Sequence, residues 1–471
     1  MGEVLWRDDR PVVAAGPDAS RRQSTRGIGT YKVAHRRSQA LDARGARIQD
    51  ARTFLKNDSG AKTRLQWQGH HSARTRYAGD RRDARHFCRR SRRETRRTRL
   101  VVRAANHAKL IAMHPGFGVY IHIPFCAKKC DYCAFATFTD RHQLTSDYLG
   151  ALRTHIQRSV ANQMPKATSV FIGGGTPTLV PADELMSVLA EIPLASGAEV
   201  TVECNPDDVT AEMMRTFRSS GVNRVSIGVQ STVEHVLGSL GRTHDPENVQ
   251  RSVRFAKEAG FETFNLDIIY GAAGETLDDW SKTLIDVVAL DPPHVSAYGL
   301  TVEANTVLAT QPDRHPDDDD QADKYLLCDD MMSSHGLNNY EISNWAKSGH
   351  ECKHNSLYWQ QGNYEGFGSA AHAHLNGRRW WNVRTPERYI ELVNAGESPE
   401  SSSETLDAKT SKREMLQLLV RTREGVPLGS FSDADLEEMS ELLECQNDRI
   451  VLTRSGRLLA NEVALRLIDE I

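Results

Sequence analysis

Three closely spaced cysteines are the first residues of this chain that could do chemistry. The segment CAKKCDYC places thiols at Cys126, Cys130 and Cys133. Thiolates bind zinc and iron, and a structural zinc site is normally closed by four protein ligands. Three thiolates on a four-iron cube instead leave one iron free to bind a small molecule. The spacing therefore predicts an open iron–sulfur centre, or a zinc site that recruits Cys204 or His122.

The composition is that of a protein from a reducing compartment. Eight cysteines occur among 471 residues, whereas a disulfide framework needs dense, paired cysteines in a short secreted chain. Hydrophobic residues make up 39% of the chain, which is enough for a sizeable core. No apolar run approaches the roughly 18 residues of a membrane-spanning helix, and the N-terminus lacks the apolar core of a secretory signal. We therefore expect a cytoplasmic protein.

The net charge of −3 hides two unlike parts of the chain. Residues 1–112 carry 28 Lys and Arg against 10 Asp and Glu, which leaves 31 against 52 in the remainder. The first part lacks lasting apolar periodicity, and we predict that it is a disordered basic extension. Three interpretations stay open: sequence upstream of a true start at Met113, an organelle transit segment, or a nucleic-acid-binding arm. The first is favoured, and nucleic acid is not an expected partner.

Six predicted strands alternate with helices between residues 113 and 301. The strand VYIHI (119–123) runs directly into the cysteine segment, and SVFIGG (169–174) ends in glycines. Such alternation is typical of βα units and a parallel sheet. Six units fall short of the eight, over about 250 residues, that a closed barrel of this type needs. The sequence therefore predicts an α/β fold with a partial parallel (β/α)6 barrel.

The chain after residue 301 follows a different pattern. Residues 302–397 are mixed and rich in Asn, Tyr, Trp and Gly, and we predict an α+β region there. SPESSSE (398–404) has the composition of a mobile linker. Residues 405–471 predict a small helical domain with one strand at RIVLT (449–453), and the domain is similar to a winged helix.

Polar residues and glycines stand where the predicted strands end. Glycines permit backbone N–H groups to approach a ligand closely, and an arginine can bind a carboxylate through two hydrogen bonds. The carboxyl ends of parallel strands converge in one cleft. A tight turn and ordinary capping are the alternative explanations. The candidates for the cleft are Gly173, Gly174, Gly175, Thr176, Glu203, Gln230, Arg242 and Asp267.

Together with the C-x3-C-x2-C spacing, these residues resemble the radical S-adenosylmethionine (SAM) superfamily. The resemblance covers about residues 117–470 and implies that the three cysteines hold a 4Fe–4S cluster. In that superfamily the open iron binds SAM, and one electron from the cluster cleaves SAM into methionine and a 5′-deoxyadenosyl radical. The resemblance implies that the strand-end residues contact SAM and that Tyr120 packs beside the cluster. The segment YGAAGET (270–276) departs from the family pattern, which has a proline after the glycine.

Two motifs narrow the resemblance to the coproporphyrinogen-oxidase-like subgroup. They are VYIHIPFC (119–126) and GGGTPT (173–178). The subgroup includes oxygen-independent coproporphyrinogen III oxidases, which oxidatively decarboxylate a tetrapyrrole, and haem chaperones. The oxidases usually carry a further cysteine two residues after the third, where this chain has Phe135. That difference makes the chain more similar to the chaperones.

The segment KHNSLYWQ (353–360) resembles the haem-binding signature of the chaperones. A neutral imidazole is a good ligand for haem iron, and Tyr and Trp rings can lie against a flat macrocycle. The alternative is that the histidine caps a helix and that the aromatic residues belong to a core. The residues that the resemblance implicates in haem binding are His354, Asn355, Tyr358 and Trp359.

The resemblance also implies the role of residues 302–397, which would form a tetrapyrrole-binding region. Within it, His372 is a second candidate ligand and Cys352 a further one, and Ser369-Ala370 replace the Pro-Gly usual in the family. We expect a haem chaperone with a 4Fe–4S cluster, SAM and haem. It would deliver haem to haem-requiring, respiratory proteins, some of them at the membrane, and a homodimer is a further expectation. The alternative is the oxidase, and whether SAM is cleaved stays open.

Overall fold

The structure is a computed structural model, and it describes residues 116–468. The predicted basic extension over residues 1–112 and the suggested start at Met113 lie outside these residues. No helix of the described part is long and apolar enough to cross a membrane.

Six parallel strands form the centre of one sheet, in the order in which they occur along the chain. The predicted succession of six strands and intervening helices is therefore confirmed. The strands are β1 (Phe117–Ile123), β2 (Ala167–Gly174), β3 (Leu194–Cys204), β4 (Arg224–Gln230), β5 (Thr263–Tyr270) and β6 (His294–Gly299). The helices after them are α1 (Thr145–Ala161), α2 (Ala182–Leu189), α3 (Ala211–Ser219), α4 (Glu234–Ser239), α5 (Pro246–Glu258) and α6 (Leu277–Ala289).

The two faces of this sheet differ in polarity. Along β2, Val170 and Ile172 belong to the main apolar core, which the helices share, whereas Ser169 and Phe171, which alternate with them, belong to the opposite face. The register of the neighbouring strands places further residues of β3 to β6 on this same opposite face. We call it the polar face, and its buried members include Ser169, Glu199, Arg224, Asn265 and His294.

The chain after β6 extends the same sheet at both edges. Beyond β6 lie β8 and then β7, both antiparallel to their neighbours, whereas β9 lies parallel to β1 and is followed by the antiparallel β10, β11 and β12. The region predicted as separate over residues 302–397 therefore shares its sheet with the core. These elements are α7 (Asp318–Ser334), β7 (Asn338–Glu341), β8 (Asn344–Ala346), α8 (Lys353–Trp359), β9 (Asn363–Phe367), β10 (His372–Leu375), β11 (Arg378–Asn382), α9 (Pro386–Ala395) and β12 (Glu400–Thr405).

The prediction of a mobile linker at residues 398–404 was wrong. Most of this segment is β12, which pairs with β11 at the edge of the sheet. Its side chains are largely exposed on both faces, so it lacks the apolar alternation by which strands are recognised. Serine-rich composition alone is therefore no guide to mobility here.

The C-terminal residues form a small unit with its own apolar core and a three-stranded sheet in the order β13-β15-β14. The predicted strand at residues 449–453 is confirmed, whereas the winged-helix likeness stays a prediction. The elements are α10 (Ala408–Leu419), β13 (Val426–Pro427), α11 (Asp433–Glu438), β14 (Leu443–Gln446), β15 (Arg449–Leu452), α12 (Arg454–Leu458) and α13 (Ala460–Leu465).

Candidate functional site

The cysteine segment is anchored by the end of β1. The N–H of Cys126 donates to the carbonyl of Phe138 at 3.1 Å, and the N–H of Phe138 donates back to the carbonyl of Pro124 at 2.8 Å. Below the loop, Nε2 of the buried His122 lies 3.0 Å from the carbonyl oxygen of Ala136. The two ends of the backbone loop that carries the three thiols are thus joined to each other directly after β1.

The three thiols are free and half-buried. The hydroxyl of Thr176 donates to Sγ of Cys126 at 3.5 Å, and Nη1 of Arg242 donates to Sγ of Cys130 at 3.7 Å. Burial raises the pKa of Cys133 to about 11, and the neighbouring thiols add to this effect. Ionising three crowded thiols is unfavourable until a metal cation compensates their charge.

These donors fit an iron–sulfur cluster better than a zinc ion. Cys204 belongs to the apolar core and its thiol lies against the carbonyl of Val202, whereas both ring nitrogens of His122 have hydrogen-bond partners. Neither is therefore free to become a fourth ligand. Within residues 116–468 no three His, Cys, Asp or Glu side chains converge on one point as a single ion requires; the thiolates of a cube bind separate irons and stand further apart.

The glycines of GGGTPT are required by the packing of the loop itself. A Cβ on Gly173 would lie 2.6 Å from the carboxylate of Glu203, and one on Gly175 would lie 2.6 Å from the carbonyl oxygens of Ile123 and Phe125. Gly174 has φ +102° and packs on the ring of His122. The tight-turn explanation therefore accounts for all three glycines, and their contact with SAM stays a prediction.

Glu203, Gln230 and Arg242 meet at the carboxyl ends of β3 and β4. The carboxylate of Glu203 accepts the N–H of Gly174 at 3.1 Å, and burial raises its pKa. Gln230 has φ +61°, a strained backbone for a residue with a side chain. A β-bulge at this position places the side-chain amide of Gln230 beside the guanidinium of Arg242, and both groups lie next to Gly228.

The guanidinium of Arg242 lies between this group and the cysteines. Its Nη2 donates to the side-chain oxygen of Asn205 at 3.2 Å and to the carbonyl of Gly228 at 3.3 Å, and its buried Nε has no partner among the described residues. Burial alone would lower its pKa, but Tyr132 and Cys130 outweigh burial and raise it. A permanent cation with an unused N–H thus stands beside the thiols.

Asp267 lies on the polar face, one layer below these strand ends. Its two carboxylate oxygens accept from the hydroxyl of Ser226 at 2.7 Å and the amide of Asn265 at 2.8 Å. The oxygen of Asn265 in turn lies 2.6 Å from His294 Nδ1. The hydroxyl of Tyr120, also on this face, lies 3.0 Å from Nδ1 of His122. The predicted SAM residues are therefore brought to one end of the sheet.

The loop that departs from the family pattern is closed by a buried ion pair. The carboxylate of Glu275 accepts the N–H of Gly271 at 2.7 Å and lies 3.1 Å from Nζ of Lys324, and both charged side chains are fully buried. This pair fastens the loop after β5 to α7. The loop therefore has a structural explanation that does not involve SAM.

The haem-signature residues lie at the opposite end of the sheet. His354 is fully buried on α8, with Nδ1 2.9 Å from the hydroxyl of Ser169 and Nε2 2.8 Å from the hydroxyl of Tyr358. It approaches Gly118 near the start of β1, five residues before Ile123 and thus about 16 Å away along the strand. No pattern in the sequence indicates this separation.

The helix that carries the signature is capped from the sheet. The carboxylate of Glu199 accepts the N–H groups of Lys353 and His354, each at 3.0 Å. Asn355 is buried next to Glu341, and the indole N–H of Trp359 is buried without a partner among the described residues. In the folded chain His354 is a core residue, and its role as haem ligand stays a prediction.

The sequence reasoning missed the residues that hold the candidates in place. Four of them are polar side chains at alternate strand positions, and that alternation was the available signal for a second, polar face. The missed residues are Ser169, Glu199, Asn205, Ser226 and Asn265.

Comparisons with known proteins agree with this arrangement. Residues 120–287 match the radical SAM superfamily. The heme chaperone HemW of Mycobacterium tuberculosis (strain H37Rv) is 39% identical over 377 residues, which are 76% of this chain and 97% of that protein. HemW of Bacillus subtilis is 34% identical over 75% of this chain and 99% of its own length, and HemW of Escherichia coli is 33% identical over 74% and 97%.

A solved structure shows the same fold. Coproporphyrinogen III oxidase (HemN) from Escherichia coli, a radical SAM enzyme, superposes with a TM-score of 0.64 over 76% of this chain and 91% of that chain. Its sequence is 22% identical, so the likeness concerns the fold alone. The matches to HemW span nearly the whole length of those relatives at more than 30% identity. The chain belongs to the heme chaperone HemW family of the radical SAM superfamily.

Proposed function

We propose that this protein is a haem chaperone that holds a 4Fe–4S cluster, SAM and haem, and delivers haem to haem-requiring proteins. The observation that carries the proposal is its identity to HemW over nearly the full length of those relatives. Phe135 supports the chaperone over the oxidase, since the oxidases resembled here usually have a cysteine at this position. Respiratory acceptors, membrane-associated acceptors and a homodimer stay predictions.

Cys126, Cys130 and Cys133 would hold the cluster, which when bound supplies an electron and an open iron. Arg242 supports the placing of SAM there, because its buried Nε–H is unused and a guanidinium binds a carboxylate. Glu203 and Gln230 would contact other polar groups of SAM. The carboxylate of Glu203, with its raised pKa, suits hydrogen bonding to hydroxyl groups.

Haem binding through the signature requires α8 to open. Both ring nitrogens of His354 have partners and the side chain has no exposed surface. The unpartnered indole N–H of Trp359 offers a donor to a haem propionate after such an opening. Six of the seven described cysteines, including the three of the cysteine segment, have free thiols, and we propose that the protein acts in the cytoplasm.

The test is anaerobic reconstitution of the full chain with iron, sulfide and haem. We expect cluster absorbance and a haem Soret band together, transfer of haem to an apo-acceptor, and no decarboxylation of coproporphyrinogen III. Cys126→Ser should remove the cluster absorbance, because a hydroxyl is a poor ligand for this soft site, while Cys204→Ser is the matched control. Clear turnover of coproporphyrinogen, or no haem binding, would refute the proposal.

A further inference from the structure

A fully buried arginine on the polar face has an unpaired charge. Arg224, the first residue of β4, is 2% exposed. Its side chain forms no hydrogen bond and no ion pair with any residue between 116 and 468, and its buried Nε lacks a partner there. Arginines are rarely buried unless they are paired, because a charge removed from water without a partner destabilises the fold. The stability of the fold therefore does not explain Arg224.

The neighbours of Arg224 leave its guanidinium free. Thr201 of β3 is in register with Arg224 and is also fully buried, and its hydroxyl has no partner in the described part of the chain. The carboxylate of Glu199, on the same face of β3, is used by the N–H groups of Lys353 and His354, each at 3.0 Å. Unused donors of a guanidinium and of a hydroxyl thus lie on adjacent strands.

Arg224 lies next to the start of the signature helix α8. Burial alone would lower its pKa, but the acidic groups around it, first Cys352 and then Glu199, outweigh burial and raise it. Cys352 is the residue directly before α8. Phe171, whose ring stacks on that of His354 with centroids 5.6 Å apart, lies two strands from Arg224 in the same register, about 10 Å across the sheet. An opening of α8 that frees His354 would therefore uncover Arg224 as well.

A guanidinium and a hydroxyl in this arrangement suit a carboxylate. The planar guanidinium donates two parallel hydrogen bonds to a carboxylate, and a threonine hydroxyl can add a further donor. The bound carboxylate would also neutralise the buried charge, which offsets the cost of burying Arg224 unpaired in the free protein. Haem carries its carboxylates on two propionates.

We propose that Arg224 and Thr201 bind a propionate of haem when α8 has opened. The inference rests on the proposed function and adds to it the residues that recognise the carboxylate end of haem. The iron ligand stays with the signature on α8, so Arg224 contributes to affinity and not to ligation. Its contribution can therefore be measured apart from the axial ligand.

The test compares haem with haem dimethyl ester, whose propionates carry no charge, in titrations of the reconstituted full chain. The parent should bind haem more tightly than the ester. Arg224→Met should reduce this preference at least about tenfold, the scale of one hydrogen bond to a charged group, and should leave the position of the Soret band unchanged. Arg224→Lys, which keeps the charge, should retain part of the preference. Arg215→Met, which removes the same charge from an exposed position on α3, should keep all of it.

Urea unfolding without haem separates this role from a structural one. Arg224→Met should unfold at a urea concentration no lower than that of the parent, because methionine fills the position without a charge. A lower midpoint would show that the charge is already paired in the free protein, and it overturns the inference. An undiminished preference for haem in Arg224→Met, or no preference in the parent, overturns it as well. If the parent binds neither haem nor the ester, the proposed function fails instead, and the unfolding midpoint still decides whether Arg224 is unpaired.

Discussion

Acidification should reveal the free-energy cost of burying His354 without charge. Its ring is enclosed between Ser169, Phe171 and Tyr358, and burial lowers its pKa from 6.5 to about 3. As the pH falls, the His354 ring of the unfolded chain is therefore protonated near pH 6.5, whereas the ring of the folded chain stays neutral until about pH 3. The stability from the neutral ring is present above the unfolded pKa and is lost as the pH falls. At about pH 5 the loss for this one residue is about 2 kcal/mol.

The assay is urea unfolding of the parent and of His354→Gln at about pH 7.5 and about pH 5. The free energy of unfolding should fall by about 2 kcal/mol less in the variant, because glutamine does not titrate. His122 and His155, whose pKa values burial lowers to about 4, contribute equally in both proteins and cancel. His335→Gln, at an exposed position, should keep the full loss. An equal loss in the parent and in His354→Gln would show that the ring is not buried uncharged.

Two further predictions concern stability. Lys324→Met should lower the free energy of unfolding by about 3–5 kcal/mol, because it leaves Glu275 buried without its partner. The double variant Lys324→Met/Glu275→Gln should recover most of this loss in urea titrations. A single variant as stable as the parent would contradict the ion pair. Ala370, which stands where the family usually has glycine, has φ +57°, so Ala370→Gly should raise stability by about 1 kcal/mol. Thermal unfolding checks this, with Ala373→Gly in β10 as a control that should lose stability; an unchanged midpoint for Ala370→Gly would contradict the strain.

The core sheet was predictable because its signal is local. Strands and helices can each be recognised from a short stretch of sequence, because the apolar residues of β1 to β6 and of the helices between them recur with a short period. The cysteine spacing and the strand-end position of Glu203 are local in the same sense. These features depend on neighbours in the sequence, so one chain suffices to find them.

The remaining features depend on contacts between distant residues. His354 is buried because Ser169 and Glu199, more than 150 positions earlier, face its helix. The strand at Glu400–Thr405 exists because β11 offers it an edge. Neither partner can be inferred from the segment itself. The placing of His372 opposite Trp381 on β10 and β11 likewise depends on strand register, which no local pattern specifies.

The place of β1 in the sheet has a consequence for synthesis in the cell. One of its two neighbours, β9, lies roughly 240 residues further along the chain. At about 5–20 residues per second, translation takes roughly 12–50 s to supply that neighbour. Throughout this interval β1 is an unprotected sheet edge, open to pairing with other chains. The thiols that follow β1 thus emerge from the ribosome well before β9 has been synthesised. Whether metal is loaded before or after β1 pairs with β9 therefore depends on the rate of translation.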